Sequence, residues 1–182
     1  MVEKMKDISK IKSSGIIRRV DELGRVVVPK EIRNSLRIFV GTQLEILRGE
    51  NDEIILKKSS RIKSIMDIAK LCVKSLQQEN TLVLLTDTQS VLCAEGENKK
   101  QVISKNLTDD YLNFILNNQD MVLEKNFIIP ITDGEFKKYS NQAIFIIKTN
   151  GDVVGSLMVF SNEKDFKYVK SIKNFIQLFL EE

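Results

Sequence analysis

Apolar positions along the chain change their period near residue 60. Before it they fall in short runs of Ile, Val and Leu separated by polar turn residues; after it come a helical stripe, several strand-like runs and a second stripe. Gly15-Ile16-Ile17-Arg18-Arg19-Val20 has the β-branched content of a strand, and Asp21-Glu22-Leu23-Gly24 supplies a polar turn. Arg25-Val26-Val27-Val28 then reads as a second strand, stopped by Pro29. Proline suits the first turn of a helix, and residues 30–37 place Ile32 and Leu36 on one face at i, i+4 spacing. Residues 43–47 and 53–57 form two more strand candidates joined through 49–52.

In the second half, Ile62, Ile65, Met66, Ala69, Cys72, Val73 and Leu76 trace one face of a helix over 62–78. A hairpin of 82–87 and 90–94 follows, then a helix over 108–117 with Thr108 as N-cap. Strands are expected at 127–131, 142–148 and 152–160, and Asn150-Gly151 is a type I′ turn signal between the last two. A final helix over 164–180 carries Val169, Ile172, Phe175, Ile176 and Phe179. The pattern predicts two domains, 13–59 and 61–182, in an α+β chain.

Four short strands and one short helix in about 45 residues bury too little apolar surface to stand alone, because domains below about 40–60 residues usually need metals, disulfides or a partner. Composition removes the first two. The 182 residues include no His and no Trp, and only two Cys, at 72 and 93, outside any C-x-x-C pair. An imidazole base, a Ser-His or Cys-His pair and an ordinary His-bearing zinc site are therefore all excluded. Oligomerisation is the remaining remedy. An enzyme has little support, since only an unusual Ser-Lys or carboxylate chemistry is left open, and no cofactor or metal is expected.

Net charge is +3, which conceals an asymmetry. Residues 1–60 hold 13 basic and 9 acidic side chains, an excess of four, whereas the rest holds 15 basic against 16 acidic. Lysines at 4, 6, 10 and 12 leave no apolar stretch for a signal peptide, and the longest apolar run, 143–147, is far short of a membrane span. The expectation is a cytoplasmic protein, with no membrane partner and with reduced cysteines.

The segment from Gly15 to Arg33, followed by Leu36-Arg37-Ile38, Leu44-Glu45-Ile46 and Ile54-Ile55-Leu56-Lys57-Lys58, closely resembles the AbrB-type DNA-binding domain over 13–59. That resemblance implies a swapped-hairpin β-barrel in which two chains interleave, with double-stranded DNA as partner. The family's DNA-contacting arginines fall on Arg18, Arg25 and Arg33. Asn34 stands where many relatives carry a further arginine, and an Asn can still hydrogen-bond a phosphate or an adenine edge. Arg19, Lys30 and Arg37 are weaker candidates, because sequence does not fix their directions. Independently of the resemblance, the planar donor fork of arginine serves phosphate contact and bidentate guanine recognition better than lysine. Dimerisation would turn three positions into six arginines and the +4 head into +8. If roughly 6–8 phosphates are neutralised, log affinity falls against log salt with a slope of about −5 to −7.

The order helix, two strands, helix, three strands, helix resembles a GAF-type domain, an antiparallel sheet flanked by helices. An AbrB-type head followed by a GAF-type body is the build of sporulation transcription regulators of spore-forming bacteria. The resemblance implies activation or repression of sporulation genes, a small-molecule signal received by the C-terminal domain, and terminal helices that pair dimers into a homotetramer. No Gly-rich phosphate loop in the second half names residues for such a ligand, and the domain could equally serve oligomerisation alone. The alternative reading is an antitoxin-like protein, because related barrels occur in toxin-neutralising chains. Those partners usually bind through a disordered C-terminal tail, where this chain has a folded domain.

Overall fold

The computed structural model describes residues 15–40, 42–133, 136 and 138–181. Ser13 and Ser14, the N-terminal lysines and Gly41 lie outside the described residues. The chain divides into two units, 1–42 and 43–182. In the first, residues 15–29 form neither helix nor ladder, turn at Asp21–Gly24 and lead into α1 (Lys30–Ser35). The expected strands at 15–20 and 25–28 do not appear as ladders. Their arms share the bond from Asp21 N–H to Arg25 C=O at 3.0 Å, whereas a strand needs a hydrogen-bonding partner along its length. Pro29 sits at the N-cap of α1 with extended ψ of 147°.

The second unit opens with an antiparallel hairpin, β1 (Leu44–Arg48) and β2 (Ile54–Lys58), in which Ile46 faces Leu56 and Arg48 faces Ile54. Asn51 and Asp52 take left-handed φ of 57° and 59° in its turn, which their short polar side chains tolerate. The expected helix over 62–78 forms as α2 (Arg61–Ser64) and α3 (Met66–Ser75), interrupted at Ile65. A five-stranded antiparallel sheet follows, built from β3 (Leu82–Asp87), β4 (Val91–Gly96), β5 (Met121–Glu124), β6 (Asn141–Thr149) and β7 (Asp152–Ser161) in the order β4-β3-β7-β6-β5. Between them lie α4 (Lys99–Val102) and α5 (Asp109–Asn117), and α6 (Val169–Glu181) closes the chain.

Both faces of this sheet are covered, as the all-buried pattern of β3 requires. On one face Ile62, Ala69, Cys72 and Val73 of α2 and α3 pack with Val169 and Ile176 of α6 against Val83, Leu85, Ile147 and Leu157. On the other, Tyr111, Leu112 and Ile115 of α5 pack with Ile131, Phe136 and Tyr139 against Leu84, Ile144, Met158 and Phe160. Tyr111 and Thr86 both bond the hydroxyl of Ser156, at 2.7 and 2.8 Å, so these three buried hydroxyls satisfy one another in a chain. The helix over 108–117 has its cap as expected: Thr108 Oγ1 accepts from the N–H of Tyr111 at 3.2 Å. Asn150 and Gly151 form the β6–β7 turn with positive φ at both, as a type I′ turn demands.

Three expectations need correction. The strand at 127–131 is absent, replaced by a 3-10 turn (Lys125–Phe127) and irregular backbone. The backbone of Ile129 is paired by a side chain instead: buried Gln142 accepts its N–H at 2.8 Å and donates to its C=O at 3.0 Å. The edge beside β6 belongs to β5, where no strand was expected. The last helix begins at Val169 rather than 164. Cys72 and Cys93 are free and buried on the face of the sheet covered by α2, α3 and α6, where burial pushes the Cys93 thiol up to about 12.

Candidate nucleic-acid interface

Each of the seven candidate side chains lies in the first unit. Between residues 15 and 40 six basic side chains stand against three acidic ones. Arg18 and Arg19 occupy the arm before the bend and Arg25 the arm after it, all three exposed. Arg18 donates to the C=O of Ile17 at 3.1 Å. The bend is an Asx turn. Asp21 Oδ1 accepts the N–H groups of Leu23 and Arg25 at 3.0 and 2.8 Å, and Gly24, with φ of 75°, donates back to Asp21 C=O at 2.9 Å.

Arg25 is anchored within this turn. Its Nε donates to Asp21 Oδ2 at 2.8 Å, and these backbone and side-chain donors hold the Asp21 carboxyl below the usual carboxylate range. Sequence reasoning gave Asp21 only to the turn, although its spacing of four from Arg25 carries the signal of a pair.

On α1, Lys30, Arg33 and Asn34 follow at i, i+3 and i+4, the spacing that puts side chains on one face. Lys30 and Asn34 are exposed and Arg33 is half-buried, with its Nε enclosed and lacking a hydrogen-bond partner among the described residues. Arg37 would continue the stripe at i+7, but its backbone turns left-handed, φ 50°, and leaves the helical path. The end of α1 is a Schellman motif: Ile38 N–H bonds Arg33 C=O at 2.7 Å and Arg37 N–H bonds Asn34 C=O at 3.1 Å. The structure thus groups Arg18, Arg19 and Arg25 around one bend and Lys30, Arg33 and Asn34 along one short helix.

The apolar residues of this region are uncovered in the single chain. Among the described residues before Ile62, Pro29 alone is buried. Ile17 is 87% exposed and Val27 73%, and on the hairpin of the second unit Ile46 is 72% and Ile54 78% exposed. Ile46, Ile54 and Leu56 share one face of that hairpin by register. Among the described residues no cluster of His, Cys, Asp or Glu is arranged to hold a metal ion, and no helix is long and apolar enough to cross a membrane.

Two families match successive parts of the chain, meeting at residue 64 rather than at the boundary between the two structural units. A family described as antidote-toxin recognition MazE, bacterial antitoxin, matches residues 9–64, and one described as stage V sporulation protein T C-terminal, transcription factor, matches residues 64–178. The transition state regulatory protein AbrB of Bacillus subtilis (strain 168) is 54% identical over 48 residues, 26% of this chain and 49% of that protein. Among solved structures, the GAF domain/HD domain protein from Geobacter sulfurreducens aligns with a TM-score of 0.47 and 14% identity over 66% of this chain and 89% of that one. Stage V sporulation protein T of Bacillus subtilis (strain 168) is 34% identical over 156 residues, 85% of this chain and 87% of that protein. Since both the arginine-bearing head and the sheet domain take part in that last match, the chain belongs to the stage V sporulation protein T family.

Proposed function

We propose that the chain is a DNA-binding transcriptional regulator of sporulation genes that works in the cytoplasm as a homodimer. Its head, residues 13–59, would be completed by a second copy, and Arg18, Arg25 and Arg33 would meet DNA. The observation that carries this reading is the coexistence of two features in one segment. Its arginines are grouped around a turn and a short helix, while its apolar residues lack cover within the chain. A two-stranded hairpin and unpaired arms with exposed Ile and Val are an association hazard unless a partner covers them, and pairing of two heads would duplicate every arginine on a two-fold. In the second unit, Leu71 of α3 and Phe175 and Leu178 of α6 remain exposed, which supports pairing of dimers into a homotetramer through these helices.

Arg18, Arg25 and Arg33 are assigned to bases and phosphates, with Asn34, Arg19 and Lys30 in support. A bidentate arginine contact contributes about 1–3 kcal/mol of discrimination, and two-fold symmetry doubles it. Arg25→Ala and Arg33→Ala in the full chain are therefore expected to weaken binding to duplexes selected from a random pool by about 30-fold or more, read by fluorescence anisotropy. The same variants should keep the oligomeric state of the parent. Unchanged binding would overturn the site. The match of an antitoxin family to residues 9–64 favours a second reading, neutralisation of a toxin by the same head. The transcription-factor family matched by the remaining residues supports the first.

A further inference from the structure

Asp21 performs two separate tasks through its two carboxylate oxygens. Oδ1 closes the bend by accepting from Leu23 and Arg25 backbone N–H groups, whereas Oδ2 accepts only at the Arg25 side chain, from Nε at 2.8 Å. The pair is exposed, the Arg25 side chain by 70% and that of Asp21 by 43%, and exposed pairs contribute little to stability. A turn-closing role is already fulfilled by Oδ1 alone. The second oxygen is left to act on the direction of the guanidinium.

We infer that Asp21 is a positioning residue that sets the sequence specificity of the interface, by holding Arg25 through Nε so that its two terminal nitrogens form the outward fork. The inference rests on the reading of Arg25 as a DNA contact. Guanidinium carries five N–H donors in one plane; engaging Nε uses one and leaves four on the two terminal nitrogens. That end-on fork matches the O6 and N7 acceptors of guanine in the major groove. An arginine already held in one direction loses less rotamer freedom on contact than a free one.

Electrostatics adds an effect of opposite sign. A carboxylate beside a phosphate-binding arginine lowers the net positive charge that drives sequence-independent binding. That charge acts on the phosphates of any duplex alike, so the ratio between the correct sequence and random DNA is raised by the positioning alone.

Asp21→Asn separates these roles. Its amide oxygen still accepts the two turn N–H groups, as Asn commonly does in Asx turns, but its NH₂ cannot accept from Nε. The full-length chain would be measured by anisotropy against a duplex selected from a random pool and against alternating poly(dA-dT), which lacks the O6/N7 acceptor pair. We expect the selected duplex to bind about fivefold more weakly and poly(dA-dT) about twofold to fivefold more tightly, so that the ratio falls by about tenfold or more. Asp21→Ser, which keeps a turn acceptor without a second oxygen, should move the ratio the same way.

A uniform tightening on both probes would assign Asp21 to charge alone and overturn the positioning role. Loss on both probes in both variants would assign it to the turn alone, with the same consequence. Arg25→Ala serves as the reference. If that variant leaves both probes unchanged, the reading of the interface itself falls; if it loses specific binding while Asp21→Asn keeps the ratio, only the positioning role falls. In an Arg25→Ala background Asp21→Asn should cost no further specificity, and an additive loss would overturn the inference.

Discussion

At Arg37 a long charged side chain occupies the left-handed position that usually ends a helix on glycine. A residue with a Cβ pays for φ of 50°, and the hydrogen bonds at Ile38 and Arg37 impose it. Arg37→Gly is expected to stabilise the full chain by about 1 kcal/mol in guanidinium denaturation. A loss of stability would mean that the arginine's own contacts outweigh its backbone cost. The position was not legible in Leu36-Arg37-Ile38, which lacks the glycine that marks such a cap. Arg18, Arg25 and Arg33 are candidates through the resemblance to the AbrB-type domain, whose DNA-contacting arginines fall on these positions. The second oxygen of Asp21 was not legible, since an aspartate before a glycine turn already has a sufficient local explanation.

Elements were readable where one face is buried against the sheet and unreadable where a side chain substitutes for backbone. The runs over 82–87 and 152–160 formed within a residue or so of their expected bounds, because apolar runs bounded by turn residues mark strands buried on both faces. Residues 127–131 have strand composition and no strand, because Gln142 meets both backbone groups of Ile129 with its amide. Gln142 is fully buried, so Gln142→Leu would leave those two groups without partners while preserving volume. The expected cost is about 2–4 kcal/mol, measured as a lower denaturation midpoint with unchanged slope. A neutral result would show that water reaches Ile129. Helix α2 is the other case in which tertiary contact overrules period. Ile62 is fully buried, Arg61 bonds Thr149 Oγ1 at 3.1 Å and Lys63 lies 3.6 Å from buried Asp87, and the single expected helix breaks immediately afterwards.

Across the whole molecule the two ends of the chain are stabilised differently. The sheet domain has apolar cores on both faces, whereas the described residues 15–40 and the β1–β2 hairpin contribute no buried apolar side chain besides Pro29. Sedimentation of the full chain should therefore show a dimer or a larger even assembly, and its thermal midpoint should rise with protein concentration. A concentration-independent monomer would contradict the proposed head. Charge follows the same division, and binding to DNA should weaken with salt at a slope of about −5 to −7. The uncovered head also has a meaning for supply. While chains are scarce relative to their association constant, dimer abundance follows the square of chain abundance, so halving synthesis removes roughly three quarters of the DNA-competent species. If the head is completed by a second copy as proposed, it would act as a dose filter, muting low-level expression and setting a threshold without any ligand.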